Sequence, residues 1–233
     1  MKKWIALAVL LAIVAGVGYF ALNNPLGRLV QMAVNKFGPE ILQAEVHVGG
    51  VNISAADGQG KLSGLRIGNP AGFKTDHAFK VDNVEIAIEP ASVAKDVIVI
   101  HTVLIDAPDI IFEKGDKGSN FDAIQHNVEA YIGGGDKKEK DSKGEGKKMI
   151  IDSLVIRNAK VNYNGMVNLS LPDIELSNLG KKSGGATSAQ VVKAIIVELN
   201  AKIALALAKS ALISTVGGPV VGAGMAIKGL LSK

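Results

Sequence analysis

From Glu45 onward, apolar residues recur at every second position, and a chain with that period has to build a sheet with one apolar face. Val46 and Val48, then Val51 and Ile53, alternate with other residues on either side of Gly49-Gly50. Leu62, Leu65 and Ile67 follow a turn at Gly58–Gly60 and end at the breaker cluster Gly68-Asn69-Pro70. Phe79 and Val81, then Val84, Ile86 and Ile88, oppose Glu85 and Glu89 before Pro90 stops the run. Val97–Ile105 is apolar at nearly every position, as in a more buried strand, and Pro108 marks a corner before Ile110–Phe112. Ile150–Arg157, Lys160–Tyr163, Val167–Leu171 and Ile174–Leu176 repeat the style. Short runs parted by turns predict a mainly β chain, with a twisted antiparallel sheet or groove over 44–188.

Side chains two apart share a strand face, so Val84, Ile86 and Ile88 are expected to point together. Val97, Val99, Val103 and Ile105 are their expected neighbours, and this set is the candidate lipid-facing surface. Burying each such side chain is worth about 1.5–3 kcal/mol, so the face cannot stay wet. Either acyl chains or another part of the chain must cover it.

Trp4 to Leu22 carries no charge and has the length of a bilayer-crossing helix. Lys2 and Lys3 precede it, and Trp4, Tyr19 and Phe20 stand where interfacial aromatics sit. Residues 1–24 are expected to be an uncleaved transmembrane anchor, with the lysines cytoplasmic and everything after Asn23 exported. The rival is a cleaved signal peptide, whose apolar region is usually shorter. Residues 25–43 read as a short amphipathic helix behind Asn24-Pro25, interrupted at Gly38-Pro39. The segment 133–148 (GGGDKKEKDSKGEGKK) has no apolar residue and reads as a flexible loop inside the β domain. Residues 189–233 form an apolar tail beginning with a helix whose Val192, Ile195, Ile196, Leu199, Ile203 and Leu207 are available to cover the sheet. Three readings of the tail stand side by side: a plug for the sheet's open face, a cationic hairpin in contact with lipid, or a contact between copies of the chain.

The formal charge of +4 resides in the two ends and the linker, and the remainder is acidic. There are three arginines, Arg28, Arg66 and Arg157, far apart in sequence. A nucleic-acid surface needs clustered cations on the folded body, so no nucleic-acid partner is expected. Cysteine is absent, which excludes disulfides, thiolate metal sites and cysteine nucleophiles. His47, His77, His101 and His126 form no metal-binding spacing, and no serine sits in a G-x-S-x-G elbow. Asp106 and Asp109 flank Pro108 at the expected corner, and Asp57-Gly-Gln-Gly lacks the spaced ligands of a calcium loop. No catalytic residue, cofactor or metal is nominated, and the chain is expected not to be an enzyme.

One ordered set of segments carries a resemblance. Behind the N-terminal span come GKLSGLRIGNPAGF (60–73), AFKVDNVEIAIEPASV (78–93) and VIVIHTVLIDAPDIIFE (97–113). SNFDAIQHNV (119–128) and, after the charged linker, MIIDSLVIRNAKVNYNG (149–165) complete the set. This order resembles the AsmA-like family of bacterial envelope proteins. The resemblance implies an inner-membrane anchor, a periplasmic β groove with an apolar interior, and a role in phospholipid transport or outer-membrane homeostasis, with membrane lipid as the partner. A second resemblance, of Leu62–Pro70 to the strand end of water-stress/late-embryogenesis β-sandwich domains, implies instead a protective or structural module. A sandwich would bury the apolar face against a second sheet.

Overall fold

The computed structural model describes residues 25–138 and 147–216. The expected span Trp4–Leu22, the middle of the charged linker and the tail beyond Val216 lie outside the described residues. Among the described residues, no helix is long and apolar enough to cross a membrane.

Helix α1 (Pro25–Leu42) leads into strands β1 (Val46–Ile53), β2 (Gln59–Ile67) and β3 (Phe79–Ile88). Strands β4 (Val97–Asp106) and β5 (Asp109–Phe112) follow, then a small hairpin of β6 (Lys114–Gly115) and β7 (Gly118–Ser119). Helix α2 (Asn120–Lys138) precedes β8 (Lys148–Arg157), β9 (Lys160–Tyr163), β10 (Val167–Ser170) and β11 (Ile174–Leu179), and α3 (Ser188–Val216) comes last. All strands but the β6–β7 hairpin join one nine-stranded sheet. β5 continues β4 around the Ala107-Pro108 corner, β9 continues β8, and β11 continues β10, so the sheet consists of six bent ribbons.

The bend has a common cause. In every ribbon the period of two is broken at one shared level by two consecutive outward residues. These are Gly49-Gly50, Ser63-Gly64, Asp82-Asn83, Asp106-Ala107, Arg157-Asn158 and Pro172-Asp173. Neighbouring ribbons keep them in register, with Gly50 opposite Ser63, Ser63 opposite Asn83 and Asp106 beside Arg157. The flanking inward residues are therefore three apart: Val48 and Val51, Leu62 and Leu65, Val81 and Val84, Ile156 and Ala159, Leu171 and Ile174. Local left-handed backbone at Gly64, Ala107 and Asn158 accommodates the extra residue. A row of such bulges bends and twists the strands together, which curls the sheet into a half-barrel.

The sheet is mixed, not wholly antiparallel as the pattern predicted. β4 pairs with β8, and β5 with β9, in parallel. Parallel neighbours need a long crossover, and the β6–β7 hairpin, α2 and the linker supply it. Helix α2 is the element the strand reading passed over, and it runs six residues into the expected 133–148 loop. Its start was legible: Ser119 Oγ accepts from the Asp122 N–H at 3.0 Å, and Asp122 Oδ2 accepts from the Ser119 N–H at 2.8 Å. That is a reciprocal capping box, followed by Phe121, Ile124 and Val128 at helical spacing. Helix α1 passes through Gly38-Pro39 to Leu42 instead of breaking there.

Among the described residues, two adjoining apolar clusters fill the concavity, a smaller one around Val48, Val51, Ile53 and Ile88 and a larger one beside it. Val81, Val84, Ile105, Ile110, Leu154, Ile156 and Ile174 of the sheet pack with Ile41 and Leu42 of α1, Phe121, Ile124 and Val128 of α2, and Ile196, Leu199 and Ile203 of α3. The cover is helical, with no second sheet over this face, so the sandwich architecture does not apply among the described residues.

Candidate functional site

The concave face is the candidate site, and the structure divides the seven nominated residues. Val84 stands opposite Ile105 and Ile86 opposite Val103, so these four point inward together, and Ile88, two residues beyond Ile86, joins them. Val97 and Val99 point to the other face, and Ile98 and Ile100 take their inward places beside Ile88. The reason is a second row of bulges, at His101-Thr102, Asp152-Ser153 and Ser177-Asn178, which shifts the alternation by one. The β3–β4 register shifts there, and Asn178 is left-handed. Strict period-two counting through VIVIHTVLI cannot see that shift, because both faces of the run are apolar.

The chain covers most of this face itself. Val192, Ile195 and Leu207 of α3 are half-buried against the core, while Ile196, Leu199 and Ile203 are fully inside it. Lys193 Nζ meets Glu129 Oε1 at 3.1 Å, Asn200 Nδ2 donates to Gln125 Oε1 at 3.1 Å, and Asn127 Nδ2 donates to the Leu42 carbonyl at 2.9 Å. These contacts lash α3 to α2 and α2 to α1. The lid is least complete at the β10 side. There a cleft of about 510 Å³ lies between β10 and α3, walled by Leu169, Leu171, Leu205 and Ala206 together with Asn168 and Ser170, with Lys209 beside it. Leu205 is 46% exposed. Its volume falls in the range of small-ligand clefts.

The segments that carried the family resemblance meet at the same end of the half-barrel, around the end of β5. Asn69 Nδ2 donates to the Thr75 carbonyl at 2.7 Å and to Thr75 Oγ1 at 2.9 Å. Asn120, wholly buried, donates through Nδ2 to Asn69 Oδ1 at 2.7 Å and to the Ile111 carbonyl at 2.8 Å. Its Oδ1 accepts from the N–H groups of Glu113 and Phe121, both at 3.0 Å. Glu113 accepts from the Lys74 N–H, the Thr75 N–H and the Thr75 hydroxyl. Partial burial would push its carboxyl up, but the Thr75 hydroxyl and these backbone donors hold it below the usual carboxylate range. The network pins the loop 68–78 to the end of β5 and to the start of α2. Its residues therefore hold the fold together.

Two of the four histidines, His77 and His101, face carboxylates. His77 is buried, with Nδ1 at 3.0 Å from Asp76 Oδ2 and Nε2 at 3.2 Å from Asp109 Oδ2, although the second contact is too bent to be a hydrogen bond. His77 first and Arg66 second hold the Asp76 carboxyl below its ordinary range. His101 lies on the outer face between Asp152 and Glu89, and the Asp152 hydrogen bond raises its pKa above the ordinary imidazole value. Among the described residues, no three His, Asp or Glu side chains group as metal ligands.

No curated protein matches the chain. The AsmA family model, by contrast, matches residues 1–233. With its loop-to-helix network assembled from the segments 60–73, 97–113 and 119–128 and its curled sheet closed by a C-terminal helix, the chain belongs to the AsmA family.

Proposed function

We propose that this chain is a single-span inner-membrane protein of the bacterial envelope, with its body on the periplasmic side. It takes up phospholipid acyl chains at the cleft between β10 and α3 and acts by binding, not by catalysis. Membership of an envelope-associated family supports the setting. The uncharged run Trp4–Leu22 behind Lys2 and Lys3 supports the orientation. The observation that carries the lipid reading is the cleft itself. Leu169, Leu171, Leu205 and Ala206 continue the apolar interior to the surface, and the exposed Lys209 stands beside them where a headgroup phosphate would lie. Acyl chains entering there would extend the seam between α3 and the sheet, so the helix serves as a displaceable cover. Of the buried polar side chains among the described residues, Ser92, Ser119 and Asn120 hold backbone or neighbouring side chains and His77 bonds Asp76 through Nδ1, which supports binding over chemistry.

A photo-crosslinking residue at Leu205 tests this. In the full chain, within native membranes, it is expected to capture phospholipid, whereas the same residue at Glu85, on the outer face, is not. Equal capture at the two positions, or none at Leu205 in a folded chain, overturns the reading. An extracytoplasmic reporter fused after Lys233 that stays silent would overturn the orientation, provided Ser210–Ile227 does not cross back.

A further inference from the structure

The two ends of the half-barrel differ in charge. At the end where β4 and β8 begin, the 3-10 turn Pro90–Ser92 and the loop after it, the first residues of β8, and the 3-10 turn Lys181–Ser183 come together. Met149 bridges to Ala186, which folds the 180–186 loop onto the start of β8, and Lys147 Nζ donates to the Val93 carbonyl. This gathers Lys95, Lys147, Lys148, Lys181 and Lys182, all exposed, on one surface. Lys95, Lys148 and Lys182 make no ion pair among the described residues, and Lys181 reaches only Asp152, at 3.9 Å. Among the described residues the carboxylates at this end are Asp57, Glu89, Asp96 and Asp152; Asp57 and Glu89 accept the backbone N–H groups of Gln59 and Ala91, and Asp152 pairs with His101. At the opposite end the charges are interleaved: Arg66, Lys74 and Lys114 stand among Glu45, Asp76, Asp109 and Glu113.

The basic end is also where the chain arrives from its N-terminus. Helix α1 starts at Pro25 and packs Leu26 and Val30 against Ile53, Ile88, Val93 and Ile98, the residues of that same end. The apolar run ends at Leu22, two residues before Asn24. Arg28 is exposed on the first turn, and Leu29 and Met32 on that helix are 58% and 60% exposed. Lysines flanked by exposed aliphatic side chains, next to a membrane-length apolar run, match an anionic lipid surface. The cations meet headgroup phosphates, and the aliphatic groups enter the interface.

We propose that this end is a membrane-docking surface for anionic phospholipid headgroups, which sets the half-barrel upright on the bilayer with β5, β9 and β10 farthest from it. This rests on the membrane-anchor reading but not on the acyl-chain cleft. The chain has no cysteine, so Ala94→Cys in the full chain takes a single environment-sensitive dye at the basic end, and Lys117→Cys takes one at the far end. Both chains go into nanodiscs of phosphatidylcholine alone or with phosphatidylglycerol. The Ala94→Cys dye is expected to shift to an apolar environment only with phosphatidylglycerol and to revert in ~0.5 M salt, where screening is nearly complete. The shift is also expected to vanish in K147E/K148E/K181E/K182E. The Lys117→Cys dye is expected not to respond. A dye at Ala94→Cys that reads the same in both lipids overturns the docking surface, and the salt arm decides this even if the quadruple variant fails to fold. If the chain does not stay with phosphatidylcholine discs, the anchor reading falls instead. Flotation of the same chain with phosphatidylglycerol vesicles then decides the docking: salt-sensitive binding, weakened about 100-fold or more by the four reversals, upholds it, and absence of binding overturns it.

Discussion

Asn120 joins three parts of the architecture through one side chain. Its amide satisfies two donors and two acceptors in a site without solvent, and these belong to β5, to α2 and to the loop around Asn69. Asn120→Ala leaves those partners unmatched, and each buried orphan costs about 1–3 kcal/mol, so a loss of roughly 3 kcal/mol or more is expected in urea unfolding. Glu113 adds a pH dependence to the same joint. Its folded pKa lies below the ordinary 4.5, so its contribution is present above the unfolded value and is lost as pH falls through the lowered folded value. The full chain should therefore lose stability on acidification below about pH 4.5, and Glu113→Gln should be less stable at neutral pH but show a shallower acid loss. Acid unfolding profiles of the two chains that run parallel would contradict this. Gly58 is the residue where backbone geometry is least negotiable. Its φ is +72° and an added Cβ would collide with the Ile88 carbonyl, so Gly58→Ala should destabilise the turn between β1 and β2 severely.

At the scale of elements, the two edges of the sheet are treated differently. On β1, Gln31 Nε2 of α1 donates to the carbonyls of Val48 and Gly49 at 3.1 and 3.2 Å, and Asn35 Oδ1 accepts from the Val48 N–H at 3.0 Å. Helix α1 thus replaces a missing strand with side-chain partners, one way of closing an edge against unwanted pairing. Gln31→Leu with Asn35→Leu should raise concentration-dependent self-association, read by light scattering, more than either alone. Helix α3 is the other decisive element. Ile203 is fully buried under it, so Ile203→Ala should cost about 2–5 kcal/mol, while Val197→Ala, 43% exposed, should cost less than about 1 kcal/mol. Similar losses for the two would mean that α3 does not pack on the sheet as described. Ile86 shares this core, so Ile86→Asp reports folding first, and the exposed cleft residue Leu205 is the cleaner probe of bound lipid.

At the scale of the molecule, the half-barrel encloses an apolar seam, with a helical lid on its concave side, an open flank at β10 and a basic end at the start of α1 and β8. The row of bulges is what makes the enclosure possible. A flat sheet of these strands could not wrap α1, α2 and α3 at once. Ala107 carries part of that curvature in a left-handed conformation, φ +52°, that glycine adopts more easily. Ala107→Gly is accordingly expected to be neutral or stabilising by a few tenths of a kcal/mol, unlike most glycine substitutions in a strand.

The sequence by itself determined the strands, the corner at Pro108, the amphipathic helix at 25–42 and the apolar face of α3, because each is written in a local period that burial enforces. The doublets that bend the sheet were visible too, as apolar residues three apart at Val48 and Val51 and at Val81 and Val84. Only the tertiary structure decided that these doublets align across all six ribbons, since register is a relation between strands that no single run contains. It also decided which face of Val97–Ile105 is inward. A run apolar on both sides carries no phase, and the bulge at His101-Thr102 sets one. The parallel pairing of β4 with β8 depended on α2, whose capping box at Ser119 sits in an otherwise strand-like context. What covers the concave face was undetermined for the same reason: burial demands a cover of apolar surface, and either lipid or helix meets that demand until packing chooses.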